Sequence, residues 1–245
     1  IILSTLAAWF GMNDLASAKA SFKDQAVIFS RKHNWIMCIL YLGTFGSFIG
    51  FAAGFPLLIK SQFTGIDPVK YAFLGPLVGA LARPFGGWIS DKIKSGALIT
   101  QFVFIGMIVA VCGVIFFLPH NGEGGNFWGF FACFLALFAL TGIGNGSTFM
   151  QVPVIFLNMH QKFAEEGKVS EEQARLDATK EGAAVIGFTA AFAAYGGFFI
   201  PKSYGTSIDL TGSVNAALIG FIVFYAICAA LNWWYYTRKG AEAKC

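Results

Sequence analysis

The chain alternates between long apolar runs and short polar segments that hold nearly all of its charged residues. An apolar run of about 18 residues or more is typical of a transmembrane helix, because a helix of that length crosses the hydrocarbon core. The pattern predicts six spans, at about 35–59, 71–90, 97–118, 127–157, 182–201 and 212–236. The fourth is long for one crossing, so we expect it to extend beyond the bilayer at one end. The sequence therefore predicts an all-α polytopic membrane protein.

Composition agrees with this fold class. The chain is 56% hydrophobic and 12% charged, with a mean hydropathy of +0.65, whereas soluble domains carry about 25% charged residues. Its first residues, 1–10, form an apolar run with no basic segment before it and no small-residue cleavage site after it. These features argue against a signal peptide. We interpret the run as the end of a helix, and the chain as the C-terminal part of a longer protein.

The polar segments predict the connections between spans. Residues 11–34 form a long polar loop, residues 238–245 form a tail, and residues 119–125 form a glycine-rich turn. Residues 158–181 carry mixed charges at helical spacing, which predicts a short surface helix. The cysteines have neither the spacing of metal ligands nor that of a disulfide framework. We expect them to be small apolar fillers: Cys38, Cys112, Cys133, Cys228 and Cys245.

Basic residues are unequally divided between the two sides of the predicted bundle. Of the 17, thirteen lie on the side that holds segments 11–34, 158–181 and 238–245 and the turn after the second span. The opposite side holds Lys60, Lys70 and Lys202. Because Lys and Arg are enriched in cytoplasmic loops, the first side is predicted to be cytoplasmic, with both ends of the chain there. The basic residues are spread over separate loops and not interleaved with aromatic residues on one face, which excludes a nucleic-acid surface.

The remaining basic residue, Arg83, stands in the middle of the second span among small and apolar neighbours. A guanidinium at the bilayer centre costs roughly 2.5–3.5 kcal/mol on insertion scales, and such residues usually mark a substrate path. No Asp, Glu or His lies at that depth in the predicted spans, and the planar fork of Arg suits a small oxyanion. This favours an anion site. The alternative is an arginine that bridges helices by bonding backbone carbonyls.

The first span places Tyr41 and Phe45 four residues apart, on one helix face. A buried Tyr hydroxyl needs a polar partner, and an aromatic face can cover a flat anion, so both are candidate site residues. For Tyr41 a packing role is an equal alternative. Small residues at spacing four predict close helix packing along the same span: Gly46, Gly50 and Gly54.

The fourth span contains a second group of small residues that we expect to pack helices: Gly142, Gly144, Asn145 and Gly146. This Gly-x-Gly-x-Gly sequence lacks the preceding strand and the following Lys-Ser/Thr of a nucleotide loop, which excludes that function. The fifth span is also rich in glycine, over residues 187–201. Such helices expose backbone amides that an anion can contact.

The turn after the second span has the form G-x3-D-K-x-K, with Gly87, Asp91, Lys92 and Lys94 at the fixed positions. It resembles the cytoplasmic loop motif of the major facilitator superfamily, which joins the second and third helices of each six-helix half. Here it lies on the side that the charge distribution predicts to be cytoplasmic. The resemblance implies a role for these residues in conformational change.

Together, the Ala-Leu-Ala-Arg stretch of the second span and the glycine-rich segments resemble the nitrate/nitrite porter family of this superfamily, in its bacterial branch. The resemblance runs over residues 8–202. It implies the C-terminal six-helix half of a twelve-helix porter. Residues 1–10 would then end helix six, residues 11–34 would form the loop between the halves, and residues 35–237 would form the six-helix bundle.

The resemblance also implies roles for individual residues. Arg83 matches the substrate-binding arginine of the family, Tyr41 a tyrosine that contacts substrate, and Phe45 a ring that lines the same site. The second nitrate-signature segment matches residues 187–199, where candidate substrate-binding residues are Gly187, Thr189, Gly196 and Gly197. A second arginine and the first signature segment belong to the N-terminal half, which would be a partner of this chain.

We therefore expect a transporter of the bacterial cytoplasmic membrane that moves nitrate and nitrite by alternating access. By the predicted spans, all thirteen acidic residues lie in loops or at helix ends, as do His33, His120 and His160. This favours nitrate/nitrite exchange over a proton relay, which usually needs a titratable group within the membrane. The implied partners are the two anions, the lipid bilayer and the N-terminal half.

Several alternatives remain at this stage. One is a major facilitator porter for another small anion, such as a carboxylate, and another is a proton-coupled nitrate symporter. A third is a receptor or structural subunit that does not transport. An enzyme would need a nucleophile with a base, a carboxylate pair or a metal cluster, and none can be assembled within the predicted spans. We predict neither cofactor nor metal.

Overall fold

The computed structural model describes residues 2–12, 25–119 and 124–245. Within these ranges the secondary structure is helical, with short 3-10 turns at Ala26–Ser30 and Pro68–Lys70. The α-helices of the described residues are α1 (Ile2–Gly11), α2 (Lys32–Gln62), α3 (Leu74–Ile93), α4 (Gly96–Phe117), α5 (Phe127–Glu165), α6 (Glu171–Thr211) and α7 (Asn215–Thr237). Residues 13–24 of the predicted loop, with Lys19 and Lys23, lie outside the described ranges, as does His120 in the glycine-rich turn.

Among the described helices, five are long and apolar enough to cross a membrane, namely α2, α4, α5, α6 and α7. The all-α, multi-pass fold predicted from the apolar runs is therefore confirmed. Helix α3 has 20 residues and corresponds to the predicted span 71–90. It is not among those five because Arg83, Asp91 and Lys92, together with several glycines, interrupt its apolar sequence.

The structure differs from the sequence prediction between residues 158 and 181. We expected a separate surface helix, but α5 continues to Glu165 and α6 begins already at Glu171. The hydroxyl of Ser170 accepts a hydrogen bond from the Gln173 amide at 3.2 Å and caps the new helix. The charged residues thus extend two long helices. With 39 residues, α5 is about 58 Å long, well beyond the ~30 Å hydrocarbon core.

Helix α6 also extends further than the predicted span 182–201, because it continues past Pro201 to Thr211 with a turn at Tyr195. Its end is set by Gly212, which adopts a left-handed conformation with φ 71°. The turn between α3 and α4 is short. Lys94 ends α3 with φ 57°, and Ser95 then caps α4 by accepting a hydrogen bond from the Leu98 amide.

Helix α5 lies at the centre of the bundle, where it packs against α2, α3, α4 and α6. Its buried phenylalanines stack against those of α2, for example Phe134 against Phe55 at 4.5 Å between ring centroids. Elsewhere glycines bring backbones together. A Cβ added at Gly142 would meet the backbone of Gly79 in α3, and one added at Gly196 in α6 would meet the backbone of Gly46 in α2. The bundle therefore combines an aromatic core with two close glycine-lined helix contacts.

Candidate functional site

Arg83 lies near the middle of α3, and its side chain is exposed on the surface of the bundle. Its backbone is held closely, because a Cβ on Gly146 of α5 would meet the Arg83 carbonyl oxygen. Within the described ranges its guanidinium has no hydrogen-bonding or ion-pairing partner, so the structure does not show the helix-bridging arginine that was the alternative. It does interact electrostatically with the hydroxyl of Tyr41.

Tyr41 lies on α2, and it is only 4% exposed. The phenol donates a hydrogen bond of 2.7 Å to Oδ1 of Asn145 on α5. Its ring stacks on Phe45, with centroids 5.2 Å apart and an angle of 26° between the planes. Phe45 is half-buried, so part of its ring stays accessible. We call Tyr41, Phe45, Arg83 and Asn145 the central site.

The backbone of α2 departs from regular helix just here, in a π-helical turn over Leu42–Gly46. Such turns are rare and frequently lie at functional sites. The last residue of this turn, Gly46, contacts α6, because a Cβ added to Gly46 would lie 2.7 Å from the carbonyl oxygen of Ala193. The π turn thus joins the central site to the glycine contact between α2 and α6.

Sequence reasoning missed a buried polar group next to Tyr41, which joins α2, α4 and α5. Thr44 donates to Thr148 at 3.3 Å, and Gln151 donates to Thr100 at 2.6 Å. Thr100 is also 2.8 Å from the hydroxyl of Ser147. The signal was present as isolated polar residues within apolar spans, since such residues must find partners when buried.

The second signature segment has a different environment for each of its candidate residues. Gly187 is exposed, and a Cβ added to it would meet open space. A Cβ added to Gly197 would lie 2.9 Å from the side chain of Ile49. Thr189 is buried, and its hydroxyl donates to the carbonyl of Val185 in its own helix at 2.8 Å. Within the described residues, none of these contacts the guanidinium of Arg83.

The predicted conformational motif forms the turn at the end of α3. Lys94 supplies the left-handed residue, and its amide donates to the Asp91 carbonyl at 3.2 Å. Lys92 places its ammonium group 5.2 Å from the centre of the Trp88 ring. The side chain of Asp91 is exposed, and a cavity of about 240 Å³ opens between this turn and Gln151 of α5.

A second charged group lies at the end of the bundle where α2 begins and α5 and α6 meet, and we call Arg31, His160 and Glu181 the rim cluster. Arg31 donates two hydrogen bonds to the carboxylate of Glu181, at 2.7 and 2.8 Å. The Nε2 atom of His160 lies 3.3 Å from the same carboxylate. Because these bonds and the charge of Glu181 favour the cation, they raise the pKa of Arg31 above its ordinary value.

The rim cluster corrects one prediction about the acidic residues. Glu181 was expected in a loop or at a helix end, but it is a buried residue inside α6, well after the start at Glu171. Its carboxylate lies against Arg31 and His160. In the part of the chain that the structure describes, no group of three or more His, Cys, Asp or Glu side chains is arranged to hold a metal ion.

No protein-family profile matches the chain. It is similar over its whole length to the nitrate/nitrite transporter NarU of Escherichia coli K12, at 45% identity over 244 residues, or 52% of that protein. It is 45% identical over 239 residues to NarU of Salmonella typhimurium, covering 98% of this chain and 51% of the relative. The third relative, from Thermus thermophilus, is named a probable nitrate/nitrite antiporter, NarK2, and is 40% identical over 249 residues, which cover all of this chain and 51% of the relative. The chain spans about half the length of these curated relatives.

Proposed function

Because this chain belongs to the nitrate/nitrite porter family of the major facilitator superfamily, we propose that it forms the C-terminal six-helix half of a transporter that exchanges nitrate and nitrite across the bacterial cytoplasmic membrane. The relatives named as nitrate/nitrite transporters are about twice as long, which leaves room for a second half. The charge distribution supports an orientation with both ends of the chain in the cytoplasm.

The observation that carries this proposal is the unpaired guanidinium of Arg83, exposed at mid-helix and within electrostatic reach of Tyr41, whose ring stacks on Phe45. Nitrate and nitrite are small planar anions that offer only acceptor oxygens. A guanidinium fork donates to two such oxygens at once, and the accessible part of the Phe45 ring covers the flat face of the ion. A second arginine from the N-terminal half would complete the clamp, and the halves would rock about it.

Exchange is the mode of coupling that the central site favours. Its members are a phenol, an amide, a phenyl ring and an arginine, whereas a proton relay within the membrane usually relies on Asp, Glu or His. Translocation with the anion on the site therefore needs no proton, and the return step is made with the other anion bound.

A second candidate is proton-coupled nitrate uptake, and the rim cluster is the observation that favours it. The cluster places a buried carboxylate 3.3 Å from an imidazole, two side-chain types that form proton relays in membrane transporters. Its position beside Arg31, away from the central site, makes it the weaker candidate.

The deciding experiment uses the complete transporter that contains this chain, reconstituted in liposomes loaded with nitrite. Nitrate uptake is followed with and without an imposed pH gradient. Uptake that requires internal nitrite and ignores the gradient is the expected result. Uptake that follows the gradient and needs no internal anion would establish proton symport. Competition by formate or acetate in place of nitrite would indicate that the physiological substrate is another small anion.

A further inference from the structure

The hydrogen bond between Tyr41 and Asn145 connects two helices at the level of Arg83. It is 2.7 Å long, and both residues are buried, at 4% and 2% exposure. Asn145 is placed there by its neighbours. Gly144 lets α5 approach α2, because a Cβ added to Gly144 would lie 2.7 Å from the methyl group of Thr44. Gly146 lets α5 approach the backbone of Arg83 in α3.

This bond has a consequence for any anion in the central site, since a phenol carries a single O–H proton. While Tyr41 donates that proton to Asn145, it has none to donate to an oxyanion, whose oxygens only accept. An anion on Arg83 can therefore gain a hydrogen bond from Tyr41 only if the phenol turns away from Asn145.

We propose that Asn145 is a positioning residue that competes with the bound anion for the proton of Tyr41. In the empty site Asn145 holds the hydroxyl, and in the occupied site the hydroxyl donates to the anion. Anion binding then removes a hydrogen bond between α2 and α5, which lowers the cost of moving these helices relative to each other. This inference rests on the proposed function, because it needs an oxyanion at Arg83.

Removal of the Asn145 side-chain amide should change the nitrate KM in opposite directions, depending on whether Asn145 competes with the anion or only packs α2 against α5. If Asn145 only fills space between α2 and α5, its removal loosens the site and raises KM. If it competes, its removal leaves the buried hydroxyl without a partner in the empty site, which raises the free energy of that state only. The anion then binds more tightly and KM falls.

The test measures nitrate KM and kcat for the complete transporter in liposomes, with Asn145→Leu and, as a second variant without added bulk, Asn145→Ala. We expect a nitrate KM about two- to tenfold lower in both, the range that corresponds to one neutral hydrogen bond. Asn145→Asp should raise KM, because a carboxylate accepts the phenolic proton more strongly and repels the anion.

The proton of Tyr41 is tested directly by repeating the series in Tyr41→Phe. With no proton to compete for, Asn145→Leu should leave KM unchanged there. Thr148→Val is the matched control on α5, since it also removes a buried hydrogen bond to α2 but does not contact Tyr41; its KM should equal that of the parent. Nitrate-dependent increases in Tm of the purified variants provide a second measure of binding where transport is weak.

Two results would overturn the proposal: a KM that is raised or unchanged in both Asn145→Leu and Asn145→Ala, or an equal decrease in the Tyr41→Phe background. Neither affects the proposed function, which depends on nitrate flux in the parent. If the parent shows no nitrate flux and no increase in Tm with nitrate, the proposed function itself is wrong, and the inference fails with it.

Discussion

Two arginines of this chain have opposite surroundings: Arg31 directly precedes α2, and Arg83 lies in the middle of α3. At the rim, Arg31 donates two hydrogen bonds to Glu181, and Nε2 of His160 lies 3.3 Å from one oxygen of that carboxylate. At the central site, Arg83 has no ion-pairing partner within the described ranges, and the other members of the site are Tyr41, Phe45 and Asn145.

The difference separates a paired cation from the arginine that we propose binds the anion. Arg31 and Glu181 form an ion pair that joins the start of α2 to the side of α6. Arg83 is positioned by backbone contacts, with α5 glycines against α3, and its charge remains available for an anion. In this chain an exposed arginine without a protein anion, beside a phenol and a ring, is therefore the better indicator of a substrate site.

The strongest test of this distinction is Arg83→Ala. It should reduce nitrate uptake about 100-fold or more, because it removes a charge-assisted pair of hydrogen bonds worth roughly 3 kcal/mol. The Tm should remain close to that of the parent, since the side chain has no partner to leave unpaired. Uptake in liposomes and thermal unfolding in detergent measure the two effects, with the exposed Arg175→Ala as control. Substantial uptake by the Arg83 variant would refute the anion clamp.

The contact that positions Arg83 is tested by Gly86→Ala, because an added Cβ there meets the backbone of Ile143. We expect a loss of about 3 kcal/mol in stability, since a backbone atom cannot move aside as a side chain can. The neighbouring Gly87→Ala is the matched control for stability, because its Cβ would meet open space. Equal unfolding temperatures for the two variants would show that the α3–α5 contact is not tight.

The rim is tested by Arg31→Ala, which leaves the buried Glu181 without its main partner. We expect a loss of roughly 2 kcal/mol in stability, with the nitrate KM unchanged within about twofold. The double variant Arg31→Met with Glu181→Leu should recover most of the stability, because no buried charge is left unpaired. A large change in KM with unchanged Tm would place the rim cluster in transport, and would favour the proton-coupled alternative.

The smallest expected effect is a pH dependence at the tail. Two hydrogen bonds from Lys32, at 2.6 and 2.7 Å, lower the pKa of Glu242 below its ordinary value. Because the folded pKa is the lower one, this stabilisation is present above about pH 4.3 and is lost as pH falls through the folded pKa. For this exposed pair we expect only a few tenths of a kcal/mol. Thermal unfolding of Glu242→Gln and the parent, compared between pH 6 and pH 3, should converge at the acid end.

Much of this fold could be predicted from the chain itself. The apolar runs located the helices, and the charge pattern distinguished Arg83 from every other basic residue. The sequence prediction was wrong for residues 158–181, because charged residues at helical spacing look the same whether they form a new helix or extend an old one. What ended α5 and began α6 was local, namely the turn at Gly167 and the cap at Ser170.

The central site was less predictable, as Asn145 shows. In the sequence it stands among glycines and was grouped with them as a packing residue, whereas the structure gives its side chain the Tyr41 hydroxyl as a partner. The two residues are 104 positions apart, and nothing in either local sequence specifies the other. Glu181 and Arg31, 150 positions apart, are a second example.

The sequence alone determined the membrane environment, the helical class and the presence of one arginine in the middle of an apolar span, because these follow from apolar length and charge counted along the chain. The tertiary structure decided which arginine is neutralised, which asparagine holds the tyrosine and which glycines bring helices together. Those outcomes depend on distances of a few ångströms between residues that are far apart in the chain, and such distances exist only once the helices are packed.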